Sequence, residues 1–453
     1  MMEQKTYKST RRVVITGVGQ ISAAGMTLES LWETCIGGKS KVHLLRQAEK
    51  CPPKNGLRFA APANDFTGLV EDFGELDAAL TKTIRKSLKL MAREIQMGVA
   101  SAQRALQFAR VSTETFEPSR VGVSFASDYV ITTPEEISAG VAACLDENGQ
   151  FDFSRWGSDG LRQMTPVWQL KFLPNMSTSH ISILNSFHGV GFNTTGREAS
   201  VGAALAESVE VIRSGRVDAM VVGATGSRIH PVKQAGAIRT EVLADDSLDP
   251  GDASRPFDRD RTGMVLGEGA GALFLETLEC AEKRGAPILA EVLGATTRGC
   301  PHYRAGTKDL TSPSPEDLTC SYLRTLKALF AKVDFVPEAV GHINANGLAT
   351  PIDDRAEAEA IRAFFGSAAD KIPVTCLKGH IGNAGAGGGF IDLIASLLAL
   401  RQGTLFPILN NRADDPLCPI LPVRQLGKPA GDSFVKLAGQ KFGQTSAVLI
   451  RLL

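Results

Sequence analysis

The chain has 453 residues, of which 43% are hydrophobic and 45 are glycines. Its 49 Lys and Arg residues balance its 49 Asp and Glu residues, so the overall charge argues against a nucleic-acid-binding protein or one that attaches to an anionic membrane surface. This composition is typical of an α/β protein with a sizeable core and many tight turns.

Location and redox state can be inferred from features that the sequence lacks. The N-terminal residues MMEQKTYKSTRR are polar and basic with no apolar stretch behind them, so no signal peptide is predicted. No apolar run approaches the roughly 20 residues that a membrane-spanning helix needs. The eight cysteines are scattered without a CxxC pair, which favours reduced thiols over disulfides or a zinc site. We therefore expect a cytoplasmic protein with no metal site.

The first predicted elements are a strand over Arg12 to Gly17, a turn region over Gly19 to Gly25 and a helix over Leu28 to Ile36, closed by a Gly-Gly pair. Gly-x-Gly after a strand is also typical of a dinucleotide site. However, Ser22 replaces the third glycine of that motif and argues against one.

An amphipathic helix is predicted over Thr81 to Phe108, after a loop-rich stretch. One face is apolar. The other face carries five basic residues: Lys82, Arg85, Lys86, Lys89 and Arg93. A solvated face is the simpler interpretation, and a docking face for an acidic partner protein is the alternative.

A polar turn that opens into a helix is the most distinctive feature. It lies in the segment GFNTTGREASVGAALAESVEVIRSGRVDAMVVGATGSR, from Gly191 to Arg228. A helix is predicted over Ala199 to Ser214, ended by Gly215, and a buried strand over Val217 to Gly223. Such an elbow exposes a nucleophile at a helix N-terminus, where free N–H groups stabilise negative charge. Glu198 holds this position.

The C-terminal part of the chain repeats features of the first part. Strands predicted at 288–294, 341–346 and 447–453 follow one another as earlier strands do. This pattern indicates an internal duplication, with halves at 11–280 and 281–453.

These segments resemble the β-ketoacyl-acyl-carrier-protein synthases of the KAS II type, the condensing enzymes of fatty acid and polyketide synthesis. The opening block RRVVITGVGQISAAGMTLESLWETCIGGKS, the elbow, and the loops DASRPFD and GMVLGEGAG carry the resemblance. It implies an α/β, thiolase-like fold, a duplicated α-β-α-β-α five-layer architecture with the elbow helix buried between two mixed sheets. It also implies that residues from about 45 to 180 supply a cap and a dimer contact.

The resemblance implies four catalytic positions: an elbow cysteine, two histidines and a lysine. Counting back without a gap from the strand DAMVVG places Glu198 on the cysteine. The run NANGLATP places Asn346 on the first histidine, and the run KGHIGN places Asn383 on the second. Lys378 keeps its position. Three of the four side chains therefore differ from those of a condensing enzyme.

The resemblance also suggests pocket residues. The glycine-rich gate near the C-terminus survives in part as KFGQTS, so Phe442 and Gly443 are expected at the substrate pocket. His380 is a further candidate, because an alignment with a gap would place it on the missing second histidine. Three other histidines are expected to be ordinary interior or surface residues: His180, His188 and His342.

Ordinary condensation is not expected from this set of residues. Asparagine cannot take up a proton near neutral pH, and an acylated glutamate would be a mixed anhydride that hydrolyses readily. One hypothesis is a chain-length-factor-like subunit that binds an acyl chain. The alternative is a decarboxylase, hydrolase or dehydratase of acyl thioesters that uses Glu198 as acid or base. A purely structural interpretation pairs Glu198 with Lys378 or Arg197 at the helix N-terminus.

The resemblance finally implies the partners. An acyl carrier protein would deliver substrates on its phosphopantetheine, and no other cofactor is expected. The protein would form a homodimer or a heterodimer with an active ketosynthase.

Overall fold

The structure is a computed structural model that describes residues 11–45, 57–131, 133–299 and 314–453. Its strands are β1 (Val13–Ser22), β2 (His43–Leu44), β3 (Phe59–Ala60), β4 (Val121–Ser127), β5 (Gly191–Phe192), β6 (Ala219–Ser227), β7 (Glu268–Thr277), β8 (Ala290–Gly299), β9 (His342–Asn344), β10 (Pro373–Thr375), β11 (Leu421–Pro422), β12 (Ser433–Gly439) and β13 (Gln444–Arg451). Its α-helices are α1 (Leu28–Ile36), α2 (Ala78–Ser87), α3 (Arg93–Phe108), α4 (Pro134–Ala143), α5 (Met176–Asn185), α6 (Ser200–Arg213), α7 (Pro231–Thr240), α8 (Leu278–Lys283), α9 (Pro315–Phe330), α10 (Pro351–Phe365), α11 (Lys378–Ile381) and α12 (Ala386–Gln402).

Eleven of the described strands form one mixed sheet in the order β11-β10-β9-β12-β13-β8-β1-β7-β6-β4-β5. The set β1-β7-β6-β4-β5 has two antiparallel pairings followed by two parallel ones. The set β8-β13-β12-β9-β10 repeats this pattern. The two sets meet where β1 and β8 pair over Val14–Glu291 and Ile15–Ala290, so the two expected sheets are joined into one. The duplicated architecture is therefore confirmed, while the division into 11–280 and 281–453 stays a prediction.

The helices α6 and α12 form the middle layer of the molecule. Val201 of α6 and Phe390 of α12 share one core with Val222 of β6 and Phe434 of β12, so both strand sets contact these helices. The helices α3 and α5 pack on the outer face of the first set, and α9 and α10 pack on that of the second. This order of layers confirms the expected α-β-α-β-α fold, with the elbow helix at its centre.

Glycines allow the middle layer to approach the strands closely. A Cβ atom on Gly202 of α6 would lie 2.4 Å from the Cβ of Ser446, and one on Gly387 of α12 would lie 2.0 Å from the carbonyl oxygen of Gly269. Any larger residue at these positions would push the helices outward. The close packing therefore fixes the N-terminal ends of α6 and α12, where the candidate site lies.

The turn predicted over Gly19 to Gly25 is confirmed only at its end, because β1 continues to Ser22 and the tight turn runs from Ser22 to Gly25. Gly19 lies under α3, and a Cβ atom there would lie 2.2 Å from the carbonyl oxygen of Ser101. Gly17 and Gly19 therefore serve helix–strand packing and not a phosphate-binding turn.

The single helix predicted over Thr81 to Phe108 is also wrong, because it is divided into α2 and α3. Ala92 has an extended backbone with ψ of 158°, which interrupts the helix. The break allows Arg93 to reach inward, with its Nη2 atom 2.8 Å from Oε1 of Glu268. The side chain of Arg93 is still 41% exposed. The other members of the basic face, Lys82, Arg85, Lys86 and Lys89, are exposed as well.

Candidate functional site

The elbow is a 3-10 turn over Arg197–Ala199 that leads directly into α6. Arg197 has a φ of 48°, in the left-handed region, which costs a residue with a side chain of order 1–3 kcal/mol. Glu198 follows and is only 2% exposed. The residue that the sequence places at the elbow is therefore a buried carboxylate at the N-terminal end of the central helix.

Two arginines and one amide bind the Glu198 carboxylate. Oε1 accepts hydrogen bonds from Nδ2 of Asn383 at 2.8 Å and from Nη1 of Arg228 at 3.2 Å. Oε2 lies 3.5 Å from Nε of Arg197. Burial alone would raise the pKa of this carboxyl, but the two arginines and the Asn383 amide outweigh it and hold the pKa at about 2. Glu198 is therefore ionised throughout the neutral range.

A second carboxylate completes the arrangement. Oε1 of Glu241 lies 2.8 Å from Nη2 of Arg197 and 3.0 Å from Nη2 of Arg228. It also lies 3.6 Å from Nζ of Lys441. We call these five residues, Glu198, Glu241, Arg197, Arg228 and Lys441, the elbow ion cluster. Each carboxylate in it faces at least two cations, so the charges satisfy one another without a ligand.

Asn383 is held by its own loop as well as by Glu198. Its backbone N–H donates to the carbonyl of Val265 at 2.8 Å, and its Oδ1 accepts from the N–H of Gly385 at 3.0 Å. The preceding Gly382 has a φ of 66°, a conformation that favours glycine. Both the oxygen and the nitrogen of the amide therefore make hydrogen bonds within the protein, and Nδ2 points toward Glu198 of the elbow.

Asn346 has different partners. It follows β9, is 2% exposed, and donates from Nδ2 to the carbonyl of Gly439 at 2.9 Å. Its backbone N–H and that of Gly347 donate to the Glu357 carboxylate at 2.7 and 3.0 Å. Burial raises the pKa of Glu357 to about 7 despite these two hydrogen bonds. The amide that stands at the first histidine position is thus bound to the backbone of β12 and not to Glu198.

Lys378 pairs with Asp392 and not with Glu198, so that part of the structural interpretation is wrong. Its Nζ lies 2.5 Å from Oδ2 of Asp392, which also accepts from Nζ of Lys436 at 2.8 Å. All three side chains are at most 3% exposed. Lys436 donates further to Oδ1 of Asn344 at 3.1 Å. The pairing of Glu198 with Arg197 that the sequence suggested is confirmed.

His380 packs as an interior side chain. Its ring is fully buried and lies edge-on to Phe406, with 6.2 Å between the ring centroids. Burial lowers the pKa of His380 to about 4, so the ring is neutral. Its role as a pocket residue stays a prediction. His342 is likewise buried, with its ring nitrogens 2.8 Å from the Ala430 carbonyl and 3.0 Å from the Ser396 hydroxyl.

The segment with Phe442 and Gly443 lies beside the elbow. The ring of Phe442 is 5.9 Å from the guanidinium carbon of Arg197, and its side chain is half exposed. Gly443 has a φ of 82°, and its carbonyl accepts from the hydroxyl of Ser321 at 2.6 Å. These contacts and the ion pair between Lys441 and Glu241 hold the segment beside the elbow.

Cys376 is the cysteine that packs beside the Asn346 loop. It is fully buried, and a Cβ atom on Gly347 would lie 2.6 Å from its Sγ. Burial raises the pKa of this thiol well above its ordinary value, so it is not a thiolate near neutral pH. Cys376 therefore does not replace the missing elbow nucleophile. No group of three metal-binding side chains occurs within the described ranges.

Sequence reasoning missed Arg228, Glu241 and Asp392. It also missed Asp128, whose Oδ1 accepts a hydrogen bond of 3.3 Å from the backbone N–H of Ala386 at the start of α12. Arg228 and Asp128 directly follow the ends of β6 and β4, two parallel neighbours whose carboxyl ends meet at one edge of the sheet. A charged residue directly after a buried strand was the available signal. Glu241 and Asp392 have no comparable local signal, since their partners are distant in the sequence.

The repeated strand order, the buried central helix and the elbow at its N-terminus define a ketosynthase-type scaffold. The family model for the β-ketoacyl synthase N-terminal domain matches residues 10–281, and the model for the C-terminal domain matches residues 294–412. The chain therefore belongs to the β-ketoacyl synthase family.

Relatives agree with this assignment over nearly the whole chain. The chain is 30% identical over 426 residues to the mitochondrial 3-oxoacyl-[acyl-carrier-protein] synthase of Arabidopsis thaliana. The aligned residues cover 91% of this chain and 86% of that protein. It is 27% identical over 441 residues to 3-oxoacyl-[acyl-carrier-protein] synthase 2 of Staphylococcus aureus, covering 97% and 98%. The ishigamide ketosynthase/chain length factor shares the fold, with a TM-score of 0.79 at 23% identity over 98% of this chain and 99% of that chain.

Proposed function

We propose that this chain is a β-ketoacyl synthase homologue that does not condense acyl chains and acts as a chain-length-factor-like subunit in fatty acid or polyketide synthesis. The observation that carries the proposal is the state of Glu198, an ionised carboxylate held by Arg197, Arg228 and Asn383. It stands where the family resemblance places the cysteine. A condensing enzyme needs a thiolate there to accept the acyl group.

The two asparagines support the same conclusion. Condensation requires donors that stabilise the charge developing on a thioester carbonyl. Nδ2 of Asn383 already donates to Glu198, and Nδ2 of Asn346 already donates to Gly439. Neither side chain can accept a proton near neutral pH. Both amide donors therefore bind acceptors within the protein and not a thioester carbonyl.

The alternative of altered acyl-thioester chemistry is less well supported. A general acid or base works best with a pKa near the operating pH. The pKa of Glu198 is about 2, so this group is a weak base and carries no proton to donate. Glu198 is better suited to hold the arginines of the elbow than to transfer protons.

A dimeric arrangement is part of the proposal. The strand β5 lies at the edge of the sheet, where an unpaired edge favours pairing with another chain. Large apolar side chains on the segment between β4 and β5 are strongly exposed, among them Tyr129, Phe153, Val167 and Ile183. Such a surface fits a protein–protein contact. We propose that it binds a second copy or an active ketosynthase chain.

An acyl carrier protein is the proposed second partner. The two relatives above are named as 3-oxoacyl-[acyl-carrier-protein] synthases. Exposed Lys82, Lys86 and Lys89 lie on or next to α2, and such a basic face attracts acidic partners. Substrates would arrive on the phosphopantetheine of the carrier, and the predicted cytoplasmic location is retained.

The activity part of the proposal is tested with purified protein. The protein is incubated with malonyl and acyl carrier thioesters, while carbon dioxide, free thiol and 3-oxoacyl products are followed. We expect none of them, and we expect Glu198→Cys alone to remain inactive because both asparagines remain. Turnover by the natural protein that Glu198→Gln abolishes would instead establish the altered chemistry.

The subunit part needs a separate experiment. The chain is co-expressed with an intact ketosynthase from the same source, and the complex is sized by light scattering. A stable heterodimer that makes products of different length from the ketosynthase alone is expected. If the two chains do not associate and product length is unchanged, the subunit role is wrong.

A further inference from the structure

A cavity of about 400 Å³ lies where the starts of α9 and α10 meet two loops of the second half of the chain. Its apolar wall consists of Pro315, Pro351, Ile352 and Leu417. Leu417 is 52% exposed, so a large apolar side chain faces water at the cavity. A concave site with an apolar wall and a few polar groups is the usual form of a small-molecule site.

The charged residues of this cavity are mostly cations. Arg259, Arg261 and Arg355 line it, and within the described part of the chain Asp415 is the one carboxylate that does so. Three positive charges and one negative charge leave the lining with a net charge of +2. The cavity therefore attracts anions and repels cations.

Arg261 forms the base of the cavity and is already bound within the protein. Its side chain is 4% exposed, and its Nη1 donates to Oδ2 of Asp415 at 2.5 Å. Its Nε donates to the carbonyl of Thr350 at 3.1 Å, and its Nη2 donates to the carbonyl of Pro351 at 3.2 Å. Arg261 therefore supplies positive charge beneath the cavity, and the other two arginines are the groups that a ligand would contact.

Arg259 and Arg355 keep their terminal nitrogens available. Nε of Arg355 donates to Oε1 of Glu359 at 2.7 Å, and Nε of Arg259 lies 3.4 Å from Oδ1 of Asp260. Among the residues that the structure describes, neither arginine has a hydrogen-bond partner on Nη1 or Nη2. Their side chains are 36% and 62% exposed. Such guanidinium groups bind the oxygens of a phosphate through pairs of N–H groups.

We infer that this cavity binds an organic phosphate monoester, with the phosphate on the terminal nitrogens of Arg259 and Arg355 and the apolar body on Ile352 and Leu417. A phosphate monoester carries about two negative charges at pH 8, which match the net charge of the lining. A carboxylate would supply only one. The inference does not rest on the proposed function, because none of these residues belongs to the elbow ion cluster.

The test compares three anions by calorimetric titration into the full-length protein at pH 8 and low salt, where screening is weak. They are phenyl phosphate, benzoate and inorganic phosphate. Benzoate has the apolar body with one charge, and inorganic phosphate has the charge without the apolar body. We expect phenyl phosphate to bind about tenfold more tightly than either, since each of the others lacks one of the two contacts.

Substitutions then locate the site. Arg259→Gln and Arg355→Gln should each weaken phenyl phosphate about tenfold, the effect of losing a charge-assisted hydrogen bond, and both side chains are exposed enough for the fold to be kept. Leu417→Ser should weaken phenyl phosphate and leave inorganic phosphate unchanged. Arg401→Gln is the matched control, because it removes an exposed positive charge at the end of α12, outside this cavity, and should change neither ligand.

The inference is overturned if phenyl phosphate does not bind, or if inorganic phosphate or benzoate binds as tightly as phenyl phosphate does. It is also overturned if Arg401→Gln weakens phenyl phosphate as much as Arg355→Gln does. That result would mean that the anion responds to the overall charge of the protein and not to this cavity.

Discussion

Nδ2 of Asn383 donates a hydrogen bond of 2.8 Å to Oε1 of Glu198, across 185 positions of sequence. The contact joins the elbow turn to the loop before α12. The resemblance places a nucleophile and a proton-carrying imidazole at these two positions. Here an amide and a carboxylate bind each other, and two arginines neutralise the carboxylate. The charges and hydrogen-bonding groups of the site are therefore paired within the protein. This pairing should affect the stability of the protein and its pH dependence in ways that a condensing site would not.

Glu198→Ala should strongly destabilise the protein, because Arg197 and Arg228 each lose a partner in a buried setting. Removing one member of a buried ion pair typically costs about 3–5 kcal/mol. Glu241 still binds both arginines, so we expect the lower end of that range in the free energy of unfolding from urea titration. Asp260→Ala, which breaks the exposed pair with Arg259, is the control and should cost less than about 1 kcal/mol. Equal effects of the two substitutions would contradict the account.

The contribution of Glu198 to stability should depend on pH with a defined sign. Its pKa falls from an ordinary 4.5 to about 2 on folding, so the unfolded chain binds the proton more readily. The stabilisation is fully present above pH 4.5 and is lost as the pH falls toward 2. Measured against Glu198→Gln, the stability advantage of the natural protein should be constant from pH 6 to 8 and should decline below pH 4.5. An advantage that grows on acidification would be inconsistent with this charge assignment.

Glu357 should show the opposite pH dependence. Burial raises its pKa from 4.5 to about 7, so the folded protein holds the proton more tightly than the unfolded chain does. Ionisation between pH 4.5 and 7 therefore costs stability. Relative to Glu357→Gln, the free energy of unfolding of the natural protein should fall over this interval and level off above pH 7. A rise over the same interval would mean that the carboxylate is stabilised by its hydrogen bonds with Asn346 and Gly347.

Asp392→Asn should be among the most damaging single substitutions near the site. It leaves the ammonium groups of Lys378 and Lys436 buried and facing each other without a carboxylate. We expect a loss of about 3–5 kcal/mol in urea titrations. Adding Lys436→Met to Asp392→Asn should recover part of this loss, because one of the two uncompensated charges is removed. If the double variant is less stable than Asp392→Asn alone, the two lysines are not coupled through Asp392.

Much of the fold and the register of the site could be predicted from the sequence. The small residues of the elbow helix and the echoed strands indicated a buried helix within a duplicated fold. Counting without a gap placed both Glu198 and Asn383 in positions that the structure brings into contact. The resemblance supplied this result, because it placed both residues on catalytic positions that meet in one site in the family.

The remaining features depend on tertiary contacts that periodicity does not encode. The break at Ala92 places Arg93 where it pairs with Glu268, a residue 175 positions away. Gly19 continues a strand because α3 packs on it, although a glycine there also suits a turn. The second carboxylate of the elbow, Glu241, and the partner of Lys378 could not be found, since nothing local marks either pairing.

The central claim is that Glu198 cannot accept an acyl group, and covalent acyl transfer tests it most directly. The protein is incubated with an acyl thioester of acyl carrier protein, with an active ketosynthase as positive control, and its intact mass is measured. We predict an unchanged mass under conditions in which the control is fully acylated. An acyl adduct that peptide mapping places on Glu198, or on any cysteine beside the elbow, would contradict the claim.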